Sequence, residues 1–430
     1  MHLSRRHLLT SAAVGAGAAA LGTTAFGAVR TGEPAAAAAP RLPDPATSGI
    51  DHIVVVMMEN RSFDHFLGWL PNADGKQAGL VFTDRQGIKH RTFHQTAYAS
   101  CGFNDPDHSY EGGRIELDGG RCDGWLRAGS NDVLSISYFQ QPDLAFLGKA
   151  ATAWTTFDRY FSAVMAETYP NRFYQHAAQT DRIHNSTTTS TLPTIWDSLA
   201  AAGLTGRYYF SDVPFTALWG SKYVGISQPV SAFYADAAAG RLPQVSFIDP
   251  RFEDEDSGTS SDDHPHADIR AGETFLNQVY EAVVSSPNWP NTMLVINFDE
   301  WGGFFDHVAP GSAPDVSPTT ALRGFRVPAL VVSPRARRGV VDHTVYDHTS
   351  VLRAIEWRWG LPALTPRDAA AANIVQTLDF GHSPNLTAPR FTVPPFTPTV
   401  CTPGAVAGPE KSEWSDLKAL AIQLGWSLPS

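Results

Sequence analysis

The sequence predicts an α/β fold, a three-layer α/β/α sandwich with a mainly parallel central sheet. From Ser48 onward, short apolar runs rich in β-branched residues alternate with segments whose apolar residues recur at helical spacing. Polar or turn residues follow most of the apolar runs, as in strands that end at a ligand-binding edge. With 430 residues, of which 43% are hydrophobic and 17% are charged, the chain can bury a large core.

The predicted strands are apolar runs that are too short for ordinary helices. They cover residues 53–58, 207–210, 245–248, 293–298 and 329–332. The first and the fourth run directly into dense groups of acidic, amide and imidazole side chains. Because the carboxyl ends of parallel strands lie at one edge of a sheet, these two groups are expected to meet.

The predicted helices have apolar residues at helical spacing. They cover residues 137–150, 192–202, 269–285, 350–359 and 413–424. Asp347 or Thr349 is expected to cap the fourth helix, and Ser412 the last. Residues 101–131 and 251–268 are rich in Gly, Asp and His, and they are predicted to be long loops over the site.

The N-terminus predicts an export signal. Arg5 and Arg6 precede a weakly apolar, Ala/Gly-rich segment, which resembles a signal for the twin-arginine (Tat) export machinery. A membrane anchor is the alternative, although so much Ala and Gly makes a poor spanning helix.

The sequence divides into three parts: a signal peptide with a small-residue linker (1–40), a main domain (48–386) and a Pro/Thr-rich strap with a terminal helix (387–430). The protein is expected to be secreted or held at the cell surface.

Charge and cysteine content exclude several classes of function. The formal net charge of -11 disfavours nucleic-acid binding and attachment to anionic membranes through a polybasic surface. The three cysteines are too few for a disulfide-built scaffold. Cys101 and Cys122 bracket a Gly-rich loop and could form a bridge after export, which would leave Cys401 alone. Three unpaired thiols are the alternative.

Two acidic dipeptide sites follow predicted strands. Glu59 and Asn60 follow the first strand, and Asp299 and Glu300 follow the fourth. Oxygen ligands of this kind suit a divalent cation, and a cation relieves the repulsion between clustered carboxylates. Each pair could instead cap a helix or bind an arginine. Their common position at strand ends favours the metal site.

A hydroxyl and two histidines are further candidates for chemistry. Thr168 is expected in a fixed turn, since Pro170 restricts the residue before it, and a helix is expected to begin near Asn171. A hydroxyl at a helix N-terminus beside a cation suits a nucleophile, but taken alone Thr168 is better explained as an N-cap. His264 and His307 lie in Gly- or Pro-bounded loops near strand ends. A role in acid–base chemistry and a satisfied structural role are the alternatives for such histidines.

At these motifs the sequence resembles the bacterial and plant family that groups non-specific phospholipase C with acid phosphatases, within the alkaline phosphatase-like superfamily. The resemblance covers most of the chain between residues 50 and 361. Its motifs lie in order at residues 59–65, 168–172, 263–265, 299–307 and 347–350. The fold it implies is alkaline phosphatase-like. Trp301 is a departure, because many relatives carry His there.

The resemblance also implies roles for individual residues. The implied ligands of a divalent metal ion are Glu59, Asn60, Asp299 and Glu300. Thr168 is implied as the nucleophile. The groups implied to bind and protonate the phosphoryl group are His108, His264, His307 and Asp263. Oxygen ligands suggest calcium, magnesium or manganese, while the nearby histidines leave zinc and iron open.

The function expected first is a secreted, metal-dependent phospholipase C. It would cleave phospholipids at a membrane surface to diacylglycerol and a phosphorylated head group through a phosphothreonine intermediate. A broad-specificity acid phosphatase acting on small phosphoesters is the second expectation. A non-catalytic metal-binding surface protein is the third, and loss of Thr168 or of an implied ligand would have favoured it. None of these residues is lost.

Overall fold

The structure is a computed structural model that describes residues 42–402 and 413–429. The predicted twin-arginine segment and the predicted Ser412 cap lie outside these residues. Within the described ranges, none of the helices combines the length and the hydropathy needed to cross a bilayer.

The strands form one large sheet and two small ones among the described residues. They are β1 (His52–Met58), β2 (Val81–Thr83), β3 (Lys89–Arg91), β4 (Phe93–His94), β5 (Ser137–Tyr138), β6 (Thr155–Phe157), β7 (Gly206–Phe210), β8 (Ser227–Pro229), β9 (Val245–Ile248), β10 (Thr292–Phe298), β11 (Ala329–Val332) and β12 (Val340–Asp342). The predicted strands match β1, β7, β9, β10 and β11 to within one residue at each end.

In chain order, most of the α-helices lie between strands of the large sheet. They are α1 (Phe63–Leu67), α2 (Tyr110–Leu117), α3 (Leu147–Ala153), α4 (Thr168–Ala177), α5 (Ile195–Ala201), α6 (Val230–Ala238), α7 (Ile269–Val284), α8 (His348–Trp359), α9 (Pro366–Ala370) and α10 (Glu413–Gln423). Asp347 caps α8, since its side chain accepts a hydrogen bond from the backbone amide of Thr349.

The large sheet has the strand order β12-β6-β11-β10-β1-β9-β7-β8. β11 pairs antiparallel with β10 and β6, and the other neighbours in this sheet pair parallel. β10 is buried along its whole length, and β1 is buried except at His52. Strands that are buried on both sides require both faces of the sheet to be covered. Helices α5 and α6 contact β7, α7 contacts β10, and α4 packs against α5 and α8. The predicted α/β sandwich with a mainly parallel sheet is confirmed.

Two predictions of local structure are wrong. The helix predicted over 137–150 begins only at Leu147, because Pro142 interrupts it and residues 137–138 instead pair with β4 as β5. The predicted loop 101–131 contains helix α2, which Ser109 caps. The loop predicted over 251–268 is present, with a single 3₁₀ turn at Glu255–Ser257.

The expected cysteine pairing is also wrong. Cys101 forms a disulfide with Cys401, with a Cα–Cα distance of 5.3 Å, and Cys122 is a buried thiol. Burial raises the pKa of the Cys122 thiol to about 12. Sequence proximity favoured Cys122 as the partner, whereas the fold brings together two cysteines that are 300 residues apart.

Candidate functional site

Strands β1 and β10 bring the two acidic dipeptides together. The strands are parallel neighbours with Met58 opposite Phe298, so Glu59 and Asp299 leave the sheet side by side. Asn60 follows with a φ of 55°, and its backbone amide donates to Asp299 Oδ1 at 3.1 Å. This left-handed conformation is one that Asn adopts more readily than most residues. It turns the chain across the end of β10.

Asn60 and Glu300 are linked through a histidine. His108 Nε2 lies 3.4 Å from Asn60 Nδ2 and 4.0 Å from Glu300 Oε1. The Nδ1 atom of His108 lies 2.8 Å from Pro106 O, a group that can only accept, so Nδ1 carries the hydrogen and Nε2 of the neutral ring accepts from Asn60. Asn60 Oδ1 then has no hydrogen-bond partner among the described residues. A buried amide oxygen in this state is a ready ligand for a cation.

Arg172 of α4 joins the carboxylates of three adjacent strands. Its guanidinium lies 2.8 Å from Glu59 Oε1, 2.9 Å from Asp249 Oδ1 and 3.5 Å from Asp299 Oδ2. Glu59, Asp249 and Asp299 directly follow β1, β9 and β10. Burial alone would lower the pKa of Arg172, but these carboxylates raise it, so the guanidinium stays charged.

Thr168 is the first residue of α4, so the helix begins earlier than the Asn171 start that the sequence suggests. Glu167 occupies the N-cap position, so the N-cap alternative for Thr168 is wrong. Residues four apart lie on one face of a helix, which places Thr168 one turn before Arg172 on the side that faces the strand ends. Thr168 is 2% exposed. Its hydroxyl thus lies at the amide-rich, partially positive end of α4.

The loop 251–268 adds a histidine and two acids. His264 Nε2 lies 3.8 Å from Asp105 Oδ2 and 3.9 Å from Glu255 Oε1. Oxygens of Glu59, Glu255 and Asp262 all lie within 4.8 Å of one another. Burial raises the pKa of Asp262 to about 7. Glu59, Glu255 and Asp262 thus form a second acidic group, which shares Glu59 with the group at the ends of β1 and β10.

Asp263, which is adjacent in sequence, faces elsewhere. Its φ is 78°, and a Cβ atom built on Gly272 of α7 would lie 2.0 Å from its Oδ1. The carboxyl group therefore packs against α7. Burial, followed by Glu273, raises the pKa of Asp263 well above its usual value. A direct role of Asp263 on the phosphoryl group stays a prediction.

His307 lies in a network of its own. Its Nδ1 atom is 2.5 Å from Asp64 Oδ2 and its Nε2 atom 3.0 Å from Asp74 Oδ1. Arg326 lies 3.1 Å from Asp64 and 2.9 Å from Asp306. Both ring nitrogens of His307 thus have acidic partners, and its catalytic role also stays a prediction.

The donor atoms at the strand ends fit a divalent cation. Asp299 Oδ2 accepts no hydrogen bond within the described part of the chain, and Asn60 Oδ1 is in the same state. Burial raises the pKa of Asp299 to about 6, although Arg172 opposes the shift. Carboxylate and amide oxygens are the ligands that hard cations take, and positive charge here would keep the acids ionised. The acidic clusters at this edge could therefore hold a metal ion.

The sequence did not identify Arg172 or Asp262 as site residues. For Arg172 a signal was present, since it follows the candidate Thr168 by one helical turn. For Asp262 there was none, because it lies in an irregular loop in which spacing does not predict side-chain direction. Trp301, the departure from the relatives, is buried and donates its indole N–H to Glu116 Oε2 at 2.7 Å.

Comparisons with known proteins point to one family. The sequence profile of the phosphoesterase family matches residues 50–362. The non-specific phospholipase C6 of Arabidopsis thaliana is 30% identical over 434 residues, which cover 88% of this chain and 80% of that protein. Phospholipase C B of Mycobacterium tuberculosis is 29% identical over 447 residues, which cover 84% of each chain. Among solved structures, the phosphonate monoester hydrolase of Agrobacterium radiobacter is similar, with a TM-score of 0.39, 10% identity and 77% of both chains covered.

Proposed function

The chain belongs to the phosphoesterase family and is a phosphoric ester hydrolase, and from this premise we propose that it is an exported, metal-dependent phospholipase C. The observation that carries the proposal is the meeting of Glu59, Asn60 and Asp299 at the strand ends, joined through Arg172 to helix α4, whose first residue is Thr168. Relatives named phospholipase C align with most of the chain. A phospholipid diester is therefore the proposed substrate.

The proposed metal ligands are Glu59, Asn60, Asp299 and Glu300. A bound divalent cation would supply the charge that lowers the pKa of the Thr168 hydroxyl and neutralises phosphoryl oxygens. The amides at the start of α4 favour an arriving phosphate, which orients phosphorus towards Thr168. Arg172 holds Glu59 and Asp299 in place through its ion pairs.

The proposed reaction has two steps. Thr168 loses its hydroxyl proton to solvent and its Oγ1 attacks phosphorus in line, so that the Oγ1–P bond forms and the P–O bond to diacylglycerol breaks. His264 gives its proton to the leaving alkoxide, and His108, once protonated at Nε2, donates a hydrogen bond to a phosphoryl oxygen. Water then gives one proton to His264 and attacks phosphorus, and the Oγ1–P bond breaks. The phosphorylated head group is released, and the Thr168 alkoxide regains a proton from solvent. His264 is favoured over His307 as the acid because His307 is bound by Asp64 and Asp74.

Export is the second part of the proposal. The twin arginines at Arg5 and Arg6 support it, and so does the Cys101–Cys401 disulfide, since disulfides persist mainly outside the reducing cytosol. Fractionation of a bacterial culture tests it. The protein is expected outside the cytoplasm, and replacement of both arginines by lysine is expected to retain it inside.

A substrate panel tests the proposed activity. The oxidised full chain is assayed with p-nitrophenyl phosphate, p-nitrophenylphosphorylcholine and phosphatidylcholine liposomes, with and without EDTA. We expect turnover of both diesters, loss of activity with EDTA and recovery on adding back a divalent metal. Thr168→Ala is expected to lose about 10³-fold or more in kcat, while Thr168→Ser keeps a nucleophile and part of the activity. Turnover of the monoester alone would indicate a phosphatase, and no turnover of any substrate would indicate a binding protein.

A further inference from the structure

The Cys101–Cys401 disulfide joins a segment that carries candidate catalytic residues to a C-terminal segment that packs against a second one. Cys101 immediately precedes the segment 102–109, which contains Asp105 and His108. Cys401 lies at the end of the segment 387–402, which has no helix or strand. The phosphoesterase match ends at residue 362, so Cys401 lies beyond it.

The segment before Cys401 is fastened to the loop 251–268. The backbone amide of Cys401 donates to Ser257 O at 2.8 Å, and the amide of Thr399 donates to Asp268 Oδ2 at 2.9 Å. A Cβ atom on Gly258 would lie 2.7 Å from Thr399 O, so the two backbones are in direct contact. The loop 251–268 carries Glu255 and Asp262 of the second acidic group, and it also carries His264.

The two loops also touch each other beside the disulfide. His266 Nε2 donates to Phe103 O at 3.1 Å, and His264 Nε2 lies 3.8 Å from Asp105 Oδ2. Both contacts are weak, and the two loops have little regular secondary structure that would otherwise hold them together. A covalent link beside them restricts the distance between the loops far more strongly than they do.

We propose that the Cys101–Cys401 disulfide is a positioning crosslink that holds the His108 loop and the His264 loop in the arrangement that turnover requires. The inference rests on the proposed function, because it assigns the two histidines to the same reaction. Reductive opening then slows catalysis while the sheet stays folded. A dithiol reductant supplies the two electrons and two protons: the S–S bond breaks, Cys101 and Cys401 become thiols, and the reductant becomes a cyclic disulfide.

Variants of the full chain separate positioning from simple stabilisation. The double variant Cys101→Ala/Cys401→Ala is compared with the wild type and with Cys122→Ala, which removes the buried thiol instead. All are assayed with p-nitrophenylphosphorylcholine at a temperature where circular dichroism shows each to be folded. We expect kcat of the double variant to fall about tenfold or more, since small misplacements of catalytic groups are costly, while Cys122→Ala stays close to the wild type. Dithiothreitol should slow the wild type, oxidised glutathione should restore it, and the double variant should respond to neither.

Hydrogen–deuterium exchange gives a readout that does not depend on turnover. In the double variant, exchange should rise in peptides covering residues 99–109 and 251–268 and stay unchanged in a peptide covering β10. A folded double variant with wild-type kcat, or with wild-type exchange in both loops, would overturn the inference. If the oxidised wild type hydrolyses no substrate, the proposed function fails, and the exchange experiment still decides whether the disulfide orders the loops.

Discussion

Two groups of acidic residues follow the same pair of strands and differ in how their oxygens are satisfied. The strand-end group consists of Glu59, Asn60, Asp299 and Glu300, and the Arg326 network consists of Asp64, Asp74, Asp306, His307 and Arg326. In the Arg326 network, both carboxylate oxygens of Asp64 and of Asp306 accept hydrogen bonds. In the strand-end group, Asn60 Oδ1 and Asp299 Oδ2 accept none within the described residues.

The pKa values do not distinguish the two groups. Burial raises the pKa of Asp299 to about 6, and it raises the pKa of Asp306 to about 6 as well. The hydrogen bonds do distinguish them, because a buried oxygen without a donor costs free energy unless a ligand binds it. The carboxylate oxygens of Asp64 and Asp306 are therefore satisfied within the protein, although they lie within 4.8 Å of a nitrogen of His307 and of each other, whereas the strand-end group has oxygens prepared for a ligand. A raised pKa alone is a weak indicator of function.

Neutralising one acid in each group is the strongest test of this comparison. Asp299→Asn keeps the size of the side chain but removes the charge that a cation needs, so kcat/KM is expected to fall about 10³-fold and metal content to fall with it. Arg172 retains Glu59 and Asp249, so the fold should persist. Asp306→Asn is the matched control and should keep near-wild-type activity. Equal losses in both variants would show that the division between the groups is wrong.

Removal of the central arginine tests the Arg326 network. Arg326→Met leaves Asp64 and Asp306 buried without their cation, which is expected to lower the free energy of unfolding by about 3 kcal/mol. Urea denaturation followed by circular dichroism measures the change. The exposed Arg241→Met, which loses a surface pair with Asp236, is the control and should change little. An Arg326→Met protein as stable as the wild type would contradict the structural role of the network.

The two candidate histidines can be separated by the leaving group. A p-nitrophenolate leaves without a proton, whereas the alkoxide of diacylglycerol needs one. His264→Gln is therefore expected to lose about 100-fold in kcat on phosphatidylcholine and much less on p-nitrophenylphosphorylcholine. His307→Gln should lose little on either substrate. If His307→Gln shows the substrate-dependent loss instead, His307 is the acid and the assignment is reversed.

The smallest expected effect is a pH dependence of stability. Burial alone would lower the pKa of His307, but Asp64 and Asp306 raise it above its usual value. The folded protein therefore keeps His307 protonated to a higher pH than the unfolded chain, in which the pKa of a His side chain is about 6.5. Protonated His307 stabilises the fold fully below about pH 6.5, and this stabilisation is lost as the pH rises through the pKa of His307 in the folded protein. The wild type should exceed His307→Gln in stability by more at about pH 5.5 than at about pH 9 in urea titrations. A difference that is constant with pH would rule out the charged pair.

Much of the framework follows from local patterns in the sequence. The apolar runs that became β1, β9 and β10 were identified with accurate ends, because a strand buried on both faces is apolar along its length. The residue that follows each run could then be placed at the sheet edge. This places Glu59 and Asp299 at the edge, with Asn60 next in the chain, whereas the assignment of Thr168 rests on the resemblance to the phospholipase C family.

Other features depended on contacts that local patterns do not encode. The prediction of a helix over 137–150 is wrong because it rests on the helical spacing of apolar residues and neglects Pro142, which interrupts a helix. Helix α2 was missed because Gly112 and Gly113 resemble a loop, although a Cβ at either would collide with Asp107 or Met165. These glycines are present for tertiary packing, which a sequence window does not reveal.

By itself the sequence determined the layered α/β architecture and the acidic residues at the ends of β1 and β10. These features are encoded by apolar periodicity and by the residue types next to it. Tertiary structure alone decided that Arg172 joins three strands, that Asp262 rather than Asp263 lies beside Glu59, and that Cys101 pairs with Cys401. The physical reason is that side-chain direction in an irregular loop depends on backbone dihedral angles and on neighbours hundreds of residues away, as the φ of 78° at Asp263 shows.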